Sequence, residues 1–307
     1  MNGTLGQRRA CWPLARTSQH RIFAQATEER DMELIGRRCL VTGGGRGIGR
    51  AIALALAQEG AHVAILARTG SELDETAALL ADQGQTALKL QADVGRREEV
   101  DSAIEHVLAA WGGIDVLVNN AGIQGPIGRV EEVDPEAWIQ VVQVNLGGCF
   151  YCTRKVLPAM IAQHYGKIIN LSGGGAVGPR PFFSAYSASK AAVVRFSENL
   201  AGEVAEHGID VNAIAPGAIN TRMLDQRLAA GAAVSAEERE RDQRLLREGD
   251  ATGERAAELA VYLASARSDG LTGRLLSAVW DPWKTFDVEA VMATEAFAVR
   301  RVQQQED

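Results

Sequence analysis

Seven short apolar segments, separated by longer helix-like stretches, constrain the fold of this 307-residue chain more than any other feature. This alternation begins at residue 37 and is typical of βαβ units, in which right-handed crossover helices cover both faces of a parallel sheet. The predicted strands are residues 38–42, 62–66, 86–92, 114–119, 166–171, 209–215 and 274–279. The predicted fold class is therefore α/β, with a doubly wound parallel sheet of about seven strands in a single domain and ligands at the carboxyl ends of the strands.

Composition and charge argue against several other classes of protein. A net charge of −7 opposes the basic surface that a nucleic-acid backbone requires. No apolar run approaches the about 18 residues of a membrane span, so we expect a soluble protein that acts without nucleic acid or membrane. Four cysteines in a chain of this length do not indicate a disulfide framework. Cys149 and Cys152 form a C-x-x-C pair without a second metal-ligand pair, so we predict no metal site and favour two packed helix side chains over a redox pair.

The two ends of the chain differ from its middle. Residues 1–31 hold four arginines and no acidic residue ahead of Glu28, and a fifth arginine at position 30, a composition that resembles a mitochondrial presequence but fits a start assigned too early equally well. We expect this extension to be poorly ordered and the protein to be cytoplasmic, with a mitochondrial location as the alternative if residues 1–31 are a presequence. The predicted domain is residues 32–283 and residues 284–307 form a tail. The charged segment 222–250 is either a substrate lid or a solvated helix.

A glycine-rich turn, TGGGRGIG, follows the first predicted strand. Glycine tolerates a tight turn and lets the backbone approach a pyrophosphate, while the helix that starts near Ile48 directs free N–H groups and its positive dipole end toward the phosphates. Because a strand and a helix frame this turn, it predicts a dinucleotide site. The predicted contacts here are Thr42, Gly43, Arg46, Gly47, Ile48 and Gly49.

Tyr186 and Lys190 lie four residues apart in a predicted helix and therefore share one face. A free phenol has a pKa of about 10 and a lysine of about 10.4, so neither alone suits proton transfer at neutral pH. A lysine cation close to the phenol stabilises phenolate and lowers the pKa of the tyrosine. The pair predicts a proton-transfer site, with two ordinary residues of an amphipathic helix as the alternative.

Four further motifs follow in order along the chain: NNAG at 119–122, VN at 144–145, YSASK at 186–190 and PG at 216–217. Together with the turn spacing T-G-x-x-x-G-x-G, they closely resemble the short-chain dehydrogenase/reductases over roughly residues 34–280. The resemblance implies a Rossmann-type fold and an NAD(P)-dependent enzyme that interconverts a carbonyl and a secondary alcohol by hydride transfer. Ketones, ketoacyl compounds, sugars and polyols all stay open as its small-molecule substrate. A sensor or scaffold that binds NAD(P) without turnover is the alternative from another class.

The resemblance also assigns roles to the matching residues. Tyr186 should act as acid/base, Lys190 should lower its pKa and bind the nicotinamide ribose, and Asn145 should hold a water molecule in the proton relay. Asp93 and Val94 should hold the adenine ring, although Asp93 fits a helix N-cap as well. The other implied cofactor contacts are Asn119, Ala121, Gly122, Pro216, Gly217, Ile219 and Thr221. A homodimer or homotetramer, packed through the helices around 138–164 and 184–207, is also implied.

The choice of cofactor depends on charge at the end of the second strand. An acidic residue there would hydrogen-bond a free 2′-hydroxyl group and repel a 2′-phosphate. This chain has Ala67, followed by Arg68, and Arg46 lies in the glycine turn. Two guanidinium groups favour a phosphate, so we expect NADP(H), with NAD(H) as the alternative. Arg68 as a merely exposed charge at a helix start stays open.

The chain departs from the family pattern where a catalytic serine is expected. The position 13 residues before Tyr186 is Gly173, and Ser172 lies one residue earlier. Adjacent residues of a strand face opposite sides of the sheet, but the glycines that follow permit a bulge. Either the Ser172 hydroxyl group or a backbone N–H group of Gly173 or Gly174 is expected to hold the substrate oxygen, and we favour Ser172.

Overall fold

The computed structural model describes residues 32–217, 222–229, 238–240, 243–244, 247 and 253–300. The predictions for residues 1–31, for Ile219 and Thr221, for residues 301–307 and for parts of the segment 222–250 lie outside the described residues. None of the helices that the structure describes combines the length and the apolar character that a bilayer crossing demands.

One seven-stranded parallel sheet lies at the centre of the described residues, which confirms the predicted fold class. The order across the sheet is β3-β2-β1-β4-β5-β6-β7, so the winding reverses between β1 and β4 and opens a crevice at their carboxyl ends. The strands are β1 (Arg38–Thr42), β2 (His62–Ala67), β3 (Leu88–Gln91), β4 (Val116–Asn119), β5 (Gly166–Leu171), β6 (Ile209–Ala215) and β7 (Leu275–Ser277).

Burial explains which strands the sequence defines most sharply. Every residue of β4 and β5 is buried, because these central strands are covered on both faces, and most of their residues are therefore apolar, with Asn119, Lys167 and Asn170 as buried polar exceptions. At the sheet edge, β3 begins at Leu88 rather than at the predicted residue 86, and its Lys89 and Gln91 are exposed. An exposed lysine on an edge strand also discourages pairing with another chain.

Helices cover both faces of the sheet. On one face, Ile52 and Leu56 pack in the same apolar cluster as Leu259 and Leu263. On the other face, a second cluster contains Ile104. The helices are α1 (Gly47–Gln58), α2 (Gly70–Asp82), α3 (Arg97–Trp111), α4 (Pro135–Val142), α5 (Gly148–Gln163), α6 (Ser184–Glu203), α7 (Arg222–Ala229), α8 (Glu254–Ala264) and α9 (Val288–Met292).

The long helix predicted after residue 137 consists of two helices joined by a π-helical turn. The Asp134 carboxylate caps α4 by accepting the N–H groups of Glu136 and Ala137. Gln143–Gly147 then form the π turn, and α5 follows without a break. A π turn inserts one extra residue into the helix and often occurs at functional sites. In this chain it contains the buried Asn145.

Residues 283–300 pack against the last strand. The carbonyl oxygen of Phe297 accepts a hydrogen bond of 2.8 Å from the backbone N–H of Leu275 in β7. The rings of Phe286 and Phe297 lie 4.9 Å apart and pack against the apolar cluster beneath α1 and α8. This segment, which falls largely in the predicted tail 284–307, therefore covers the outer edge of β7.

Candidate active site

A cavity of about 550 Å³ opens at the carboxyl ends of the strands, at the crevice between β1 and β4. Its walls come from the turn after β1, the end of β2, the loop after β4, the end of β5 and α6. The predicted site residues that border it are Gly43, Arg46, Gly47, Ile48, Gly49, Arg68, Asp93, Val94, Ala121, Gly122, Ser172, Tyr186, Lys190 and Pro216. The fold thus brings the glycine turn and the Tyr186–Lys190 pair to the same cavity.

At Gly43 and Gly49 the glycine turn packs too closely for a side chain. Gly43 has a φ of +67°, which favours glycine, and a Cβ atom at Gly49 would overlap the carbonyl oxygen of Gly43. α1 begins at Gly47, and the side chain of Arg46 before it does not cap the helix. The first N–H groups of α1 are therefore left to bind a phosphate at the cavity wall. This turn fits the pyrophosphate of a dinucleotide.

Thr42 acts behind the turn, where it ties β1 to the loop after β4. Its hydroxyl oxygen accepts hydrogen bonds of 3.0 Å from the backbone N–H groups of Asn120 and Ala121. The Asn120 amide donates in turn to the Thr42 carbonyl oxygen at 2.9 Å. These hydrogen bonds hold the NNAG loop against the glycine turn.

The two asparagines of the NNAG motif face opposite ways. Asn119, a predicted cofactor contact, is buried and donates hydrogen bonds to Asn170 at 2.9 Å and to Thr153 at 3.1 Å. Asn120, by contrast, borders the cavity. Because successive side chains of an extended chain point to opposite sides, one of two adjacent asparagines packs inside the protein while the next one faces the cavity. The motif alone gives no signal that separates the two.

The arginines predicted to select the cofactor both border the cavity and both face an acid. Nη1 of Arg46 lies 3.1 Å from a carboxylate oxygen of Glu72, and Nη1 of Arg68 lies 4.0 Å from one of Asp93. Asp93 accepts the N–H of Gly95 at 2.9 Å. α3 begins only at Arg97, so the alternative that Asp93 caps a helix is wrong.

Tyr186 and Lys190 lie one turn apart on α6, as predicted. Nζ of Lys190 donates a 2.7 Å hydrogen bond to the carbonyl oxygen of Leu171 and lies 5.8 Å from the centroid of the Tyr186 ring. Burial lowers the pKa of Lys190 to about 8. Burial raises the pKa of Tyr186, while the positive charges of Arg180 and Arg227 act to lower it. The effect of Lys190 on the phenol stays a prediction.

Asn145 bridges the loop after β4 and α6. Its side-chain oxygen accepts the N–H of Ile123 at 2.8 Å, and its amide donates to the Ile123 carbonyl oxygen at 3.1 Å and to Oγ of Ser189 at 3.0 Å. Every polar atom of this buried amide is thus engaged. The side chain positions the loop that borders the cavity next to the tyrosine helix.

Ser172 and Gly173 face different neighbours. Strand pairing continues through the N–H of Ser172, which donates to Ile214 at 2.8 Å. The Ser172 hydroxyl group is buried and donates a long hydrogen bond of 3.4 Å to the carbonyl oxygen of Lys190. A Cβ atom at Gly173 would instead lie 2.6 Å from the hydroxyl oxygen of Tyr186. The position with the family's serine spacing therefore faces the tyrosine without a side chain.

Residues after β6 also border the cavity. Pro216 borders it, and Gly217 has a φ of +83°, which favours glycine. Met223 and Asp225 of α7 also border the cavity, although the charge pattern of the segment 222–250 did not single them out.

The cysteine pair lies in α5 and is buried. Sγ of Cys149 donates to Asn170 at 3.3 Å, and burial raises the pKa of this thiol to about 12 and raises that of Cys152 as well. Neutral buried thiols are poor nucleophiles and ligands. Among the described residues, no group of three or more His, Cys, Asp or Glu side chains could hold a metal ion.

Comparisons with known proteins agree with this geometry. The family model of the short chain dehydrogenases matches residues 37–231. A 3-oxoacyl-(acyl-carrier-protein) reductase of Synechocystis sp. is 40% identical over 62% of this chain and 78% of its own length. The 3beta-hydroxysteroid dehydrogenase 1 of Eggerthella lenta is 36% identical over 80% of this chain and 92% of its own. The crystal structure of an NAD⁺-bound xylitol dehydrogenase superposes with a TM-score of 0.74 at 29% identity, over 80% of this chain and 98% of that one.

Proposed function

The chain belongs to the short-chain dehydrogenase family of oxidoreductases, and on that premise we propose that it interconverts a carbonyl and a secondary alcohol with NADP(H), using Tyr186 as acid/base. The observation that carries this proposal is that Tyr186 and Lys190 border the same cavity as the glycine turn. A bound nicotinamide cofactor supplies or accepts the hydride. The side chains of this protein bind and orient the cofactor and the substrate, and they move the proton.

Tyr186 moves that proton at its hydroxyl oxygen. Burial raises the pKa of this phenol, so it holds its proton at neutral pH, and a nearby positive charge is needed to make it a good enough acid to donate to a carbonyl oxygen during reduction. The ammonium group of Lys190, held by the Leu171 carbonyl, stabilises the phenolate that is left. In the reverse direction the phenolate accepts the proton of the alcohol.

The substrate oxygen needs a second hydrogen-bond donor, and we assign it to Ser172. Ser172 borders the cavity, and the hydrogen bond of 3.4 Å that its hydroxyl group makes to the Lys190 carbonyl oxygen is weak enough to exchange. A backbone N–H group of Gly173 or Gly174 is the alternative donor. Ser172→Ala separates the two donors. If the hydroxyl group is the donor, kcat should fall about 10²-fold, and if a backbone N–H group is the donor, kcat should change little.

Charge at the adenosine end supports NADP(H). Arg46 and Arg68 both border the cavity, and Ala67 brings no acid to the end of β2. A 2′-phosphate would replace Glu72 and Asp93 as the partner of these guanidinium groups, and the Arg68 pair at 4.0 Å is the easier of the two to exchange. NAD(H) is the alternative cofactor.

For the substrate we propose a ketone or ketoacyl compound, with a sugar or polyol as the alternative class. Relatives of both kinds exist, as the names of the reductase from Synechocystis and of the xylitol dehydrogenase state. A cofactor-binding protein without turnover is the second candidate function, and the bare Gly173 is the observation that favours it.

The test is oxidation of NADPH, with NADH in parallel, across ketones, aldehydes, ketoacyl thioesters and keto-sugars. Tyr186→Phe removes the proton donor, so we expect turnover to fall by about 10² to 10⁴-fold while NADPH binding persists. Equal loss of binding and turnover would contradict the role of Tyr186. Binding of NADPH without turnover of any compound would favour the second candidate.

We also propose a homodimer or homotetramer that associates through α4, α5 and α6. Ile139 on α4 and Phe150 on α5 are 58% and 44% exposed, and the Phe150 ring lies 6.4 Å from that of Phe196 on α6. Such an apolar surface fits a protein interface. Light scattering of the protein and of Phe150→Asp measures this, and a wild-type monomer at micromolar concentration would contradict it.

A further inference from the structure

Arg180 lies on the loop between β5 and α6, six residues before Tyr186. Its guanidinium group stacks 4.0 Å above the centroid of the Phe183 ring, which is itself buried. Only 14% of the Arg180 side chain is exposed. A guanidinium group held in this way loses little further conformational freedom when it binds a partner.

The same guanidinium group lies close to the proposed reaction centre. Its Nη1 would be 3.7 Å from a Cβ atom at Gly174, and a Cβ atom at the adjacent Gly173 would be 2.6 Å from the Tyr186 hydroxyl oxygen. Consecutive Cα atoms are about 3.8 Å apart. Arg180 and Tyr186 therefore flank one short glycine segment, and the charge of Arg180 acts on the phenol across it.

A carboxylate of the protein already pairs with Arg180. Oε1 of Glu238 accepts a 2.9 Å hydrogen bond from Nε of Arg180 and a second one from Nη2, and only 14% of its side chain is exposed. Glu238 comes from the segment 222–250, for which the sequence leaves a substrate lid and a solvated helix open. The pair shows that the guanidinium group of Arg180 accommodates a largely desolvated carboxylate, the group whose planar geometry matches a guanidinium fork.

We propose that Arg180 is a specificity-determining residue that binds the carboxylate of an oxo-acid substrate, and that Glu238 holds its place until the substrate displaces it. This inference rests on the proposed function. Exchange of one carboxylate for another keeps the guanidinium group paired throughout, so no buried charge is left alone. The short glycine segment between Arg180 and Tyr186 selects acids whose carbonyl lies only a few bonds from the carboxylate.

The test compares 2-oxo, 3-oxo and 4-oxo acids with their methyl esters, as substrates with NADPH. Arg180→Gln removes charged hydrogen bonds, so we expect KM for the preferred acid to rise about tenfold to a hundredfold while KM for its ester changes less than about threefold. Glu238→Gln removes the competing carboxylate and should lower KM for the acid. Arg195→Gln is the matched control, because Arg195 lies on the outside of α6 and pairs with Glu198.

Two results would overturn the inference. One is an equal effect of Arg180→Gln on acid and ester, which would make Arg180 a purely structural partner of Glu238. The other is an unchanged or raised KM for the acid in Glu238→Gln, which is informative even where Arg180→Gln fails to fold.

Calorimetric titration of the same acids into the NADP⁺-loaded protein separates this inference from the proposed function. Affinity that depends on Arg180 in a protein without turnover would keep the carboxylate site and contradict the enzyme. Turnover of ketones, together with an affinity for the acids that Arg180→Gln does not change, would support the enzyme and contradict the carboxylate site.

Discussion

The hydroxyl oxygen of Tyr186 lies 2.6 Å from the point where Gly173 would carry a Cβ atom. Real Cβ atoms do not approach another heavy atom so closely, so any other residue at this position must displace the tyrosine. The missing side chain thus sets how near Tyr186 comes to the end of β5. Reactivity depends steeply on such placement, because a shift of about 1 Å can cost about 10²-fold in rate.

Gly173→Ala should therefore lower kcat by about tenfold to a hundredfold without weakening NADPH binding. Gly173→Ser should lower it less, because its hydroxyl group returns a donor to the displaced site. Gly178→Ala, on the same loop with no atom within 4 Å of its Cβ position, is the control. Steady-state kinetics together with NADPH fluorescence titration measures both effects. Full activity of Gly173→Ala would show that the close approach has no role.

Arg68 should discriminate between the two nicotinamide cofactors. Arg68→Gln removes a charge from the adenosine end, so we expect the Kd for NADPH to rise about tenfold or more and that for NADH to change little. Arg96→Gln serves as the control, because Arg96 pairs with Glu99 on an exposed helix start. Parallel losses for both cofactors would contradict recognition of the 2′-phosphate.

Lys190 should make the stability of the protein depend on alkaline pH. Burial lowers its pKa to about 8, whereas a lysine in the unfolded chain titrates near about 10.4. Between these values the unfolded chain holds a proton that the folded chain has released, so the free energy of unfolding rises with pH. At a pH below the pKa of Lys190 in the folded protein, the ammonium group is charged in both the folded and the unfolded chain, and the folded protein bears the full free-energy cost of burying it.

Relative to Lys190→Met, the wild-type free energy of unfolding should rise by about 2 kcal/mol from about pH 7 to about pH 9.5. Urea unfolding at several pH values, without cofactor, measures this difference. A difference that does not change with pH would mean that the ammonium group is solvated.

Removal of residues 286–307 should destabilise the protein and make it associate. The truncation exposes the edge of β7 and removes Phe286 and Phe297 from the apolar cluster, so Tm should fall and the particle size should grow with concentration. Truncation after Arg300 keeps the covering segment and is the control. Thermal unfolding and light scattering measure both properties. A lower Tm without association would mean that the segment contributes packing alone.

Local pattern was enough to predict the parts of the molecule that local forces determine. The bounds of β1, β5 and β6 agree with the sequence because each strand contains a short run of buried apolar residues, and the glycine turn is readable because only glycine fits it. The π turn at Asn145 was not predicted, since tertiary packing rather than periodicity decides where a helix takes up an extra residue.

Contacts across long stretches of chain were also beyond the sequence. Arg180 and Glu238 are separated by 58 residues, and no spacing links them. Asn120 and Asn119 are neighbours of one residue type, so only the observed register shows which of them faces the cavity.

The covering of β7 also has a consequence for the order of events on the ribosome. The segment that closes this edge, around Phe297, is translated after all seven strands have been made. Until the segment around Phe297 has left the exit tunnel, the sheet of a nascent chain therefore keeps an uncovered edge. On a crowded polysome, the uncovered edges of neighbouring nascent chains could pair with one another. Slow translation of this final stretch would therefore favour aggregates over the finished fold.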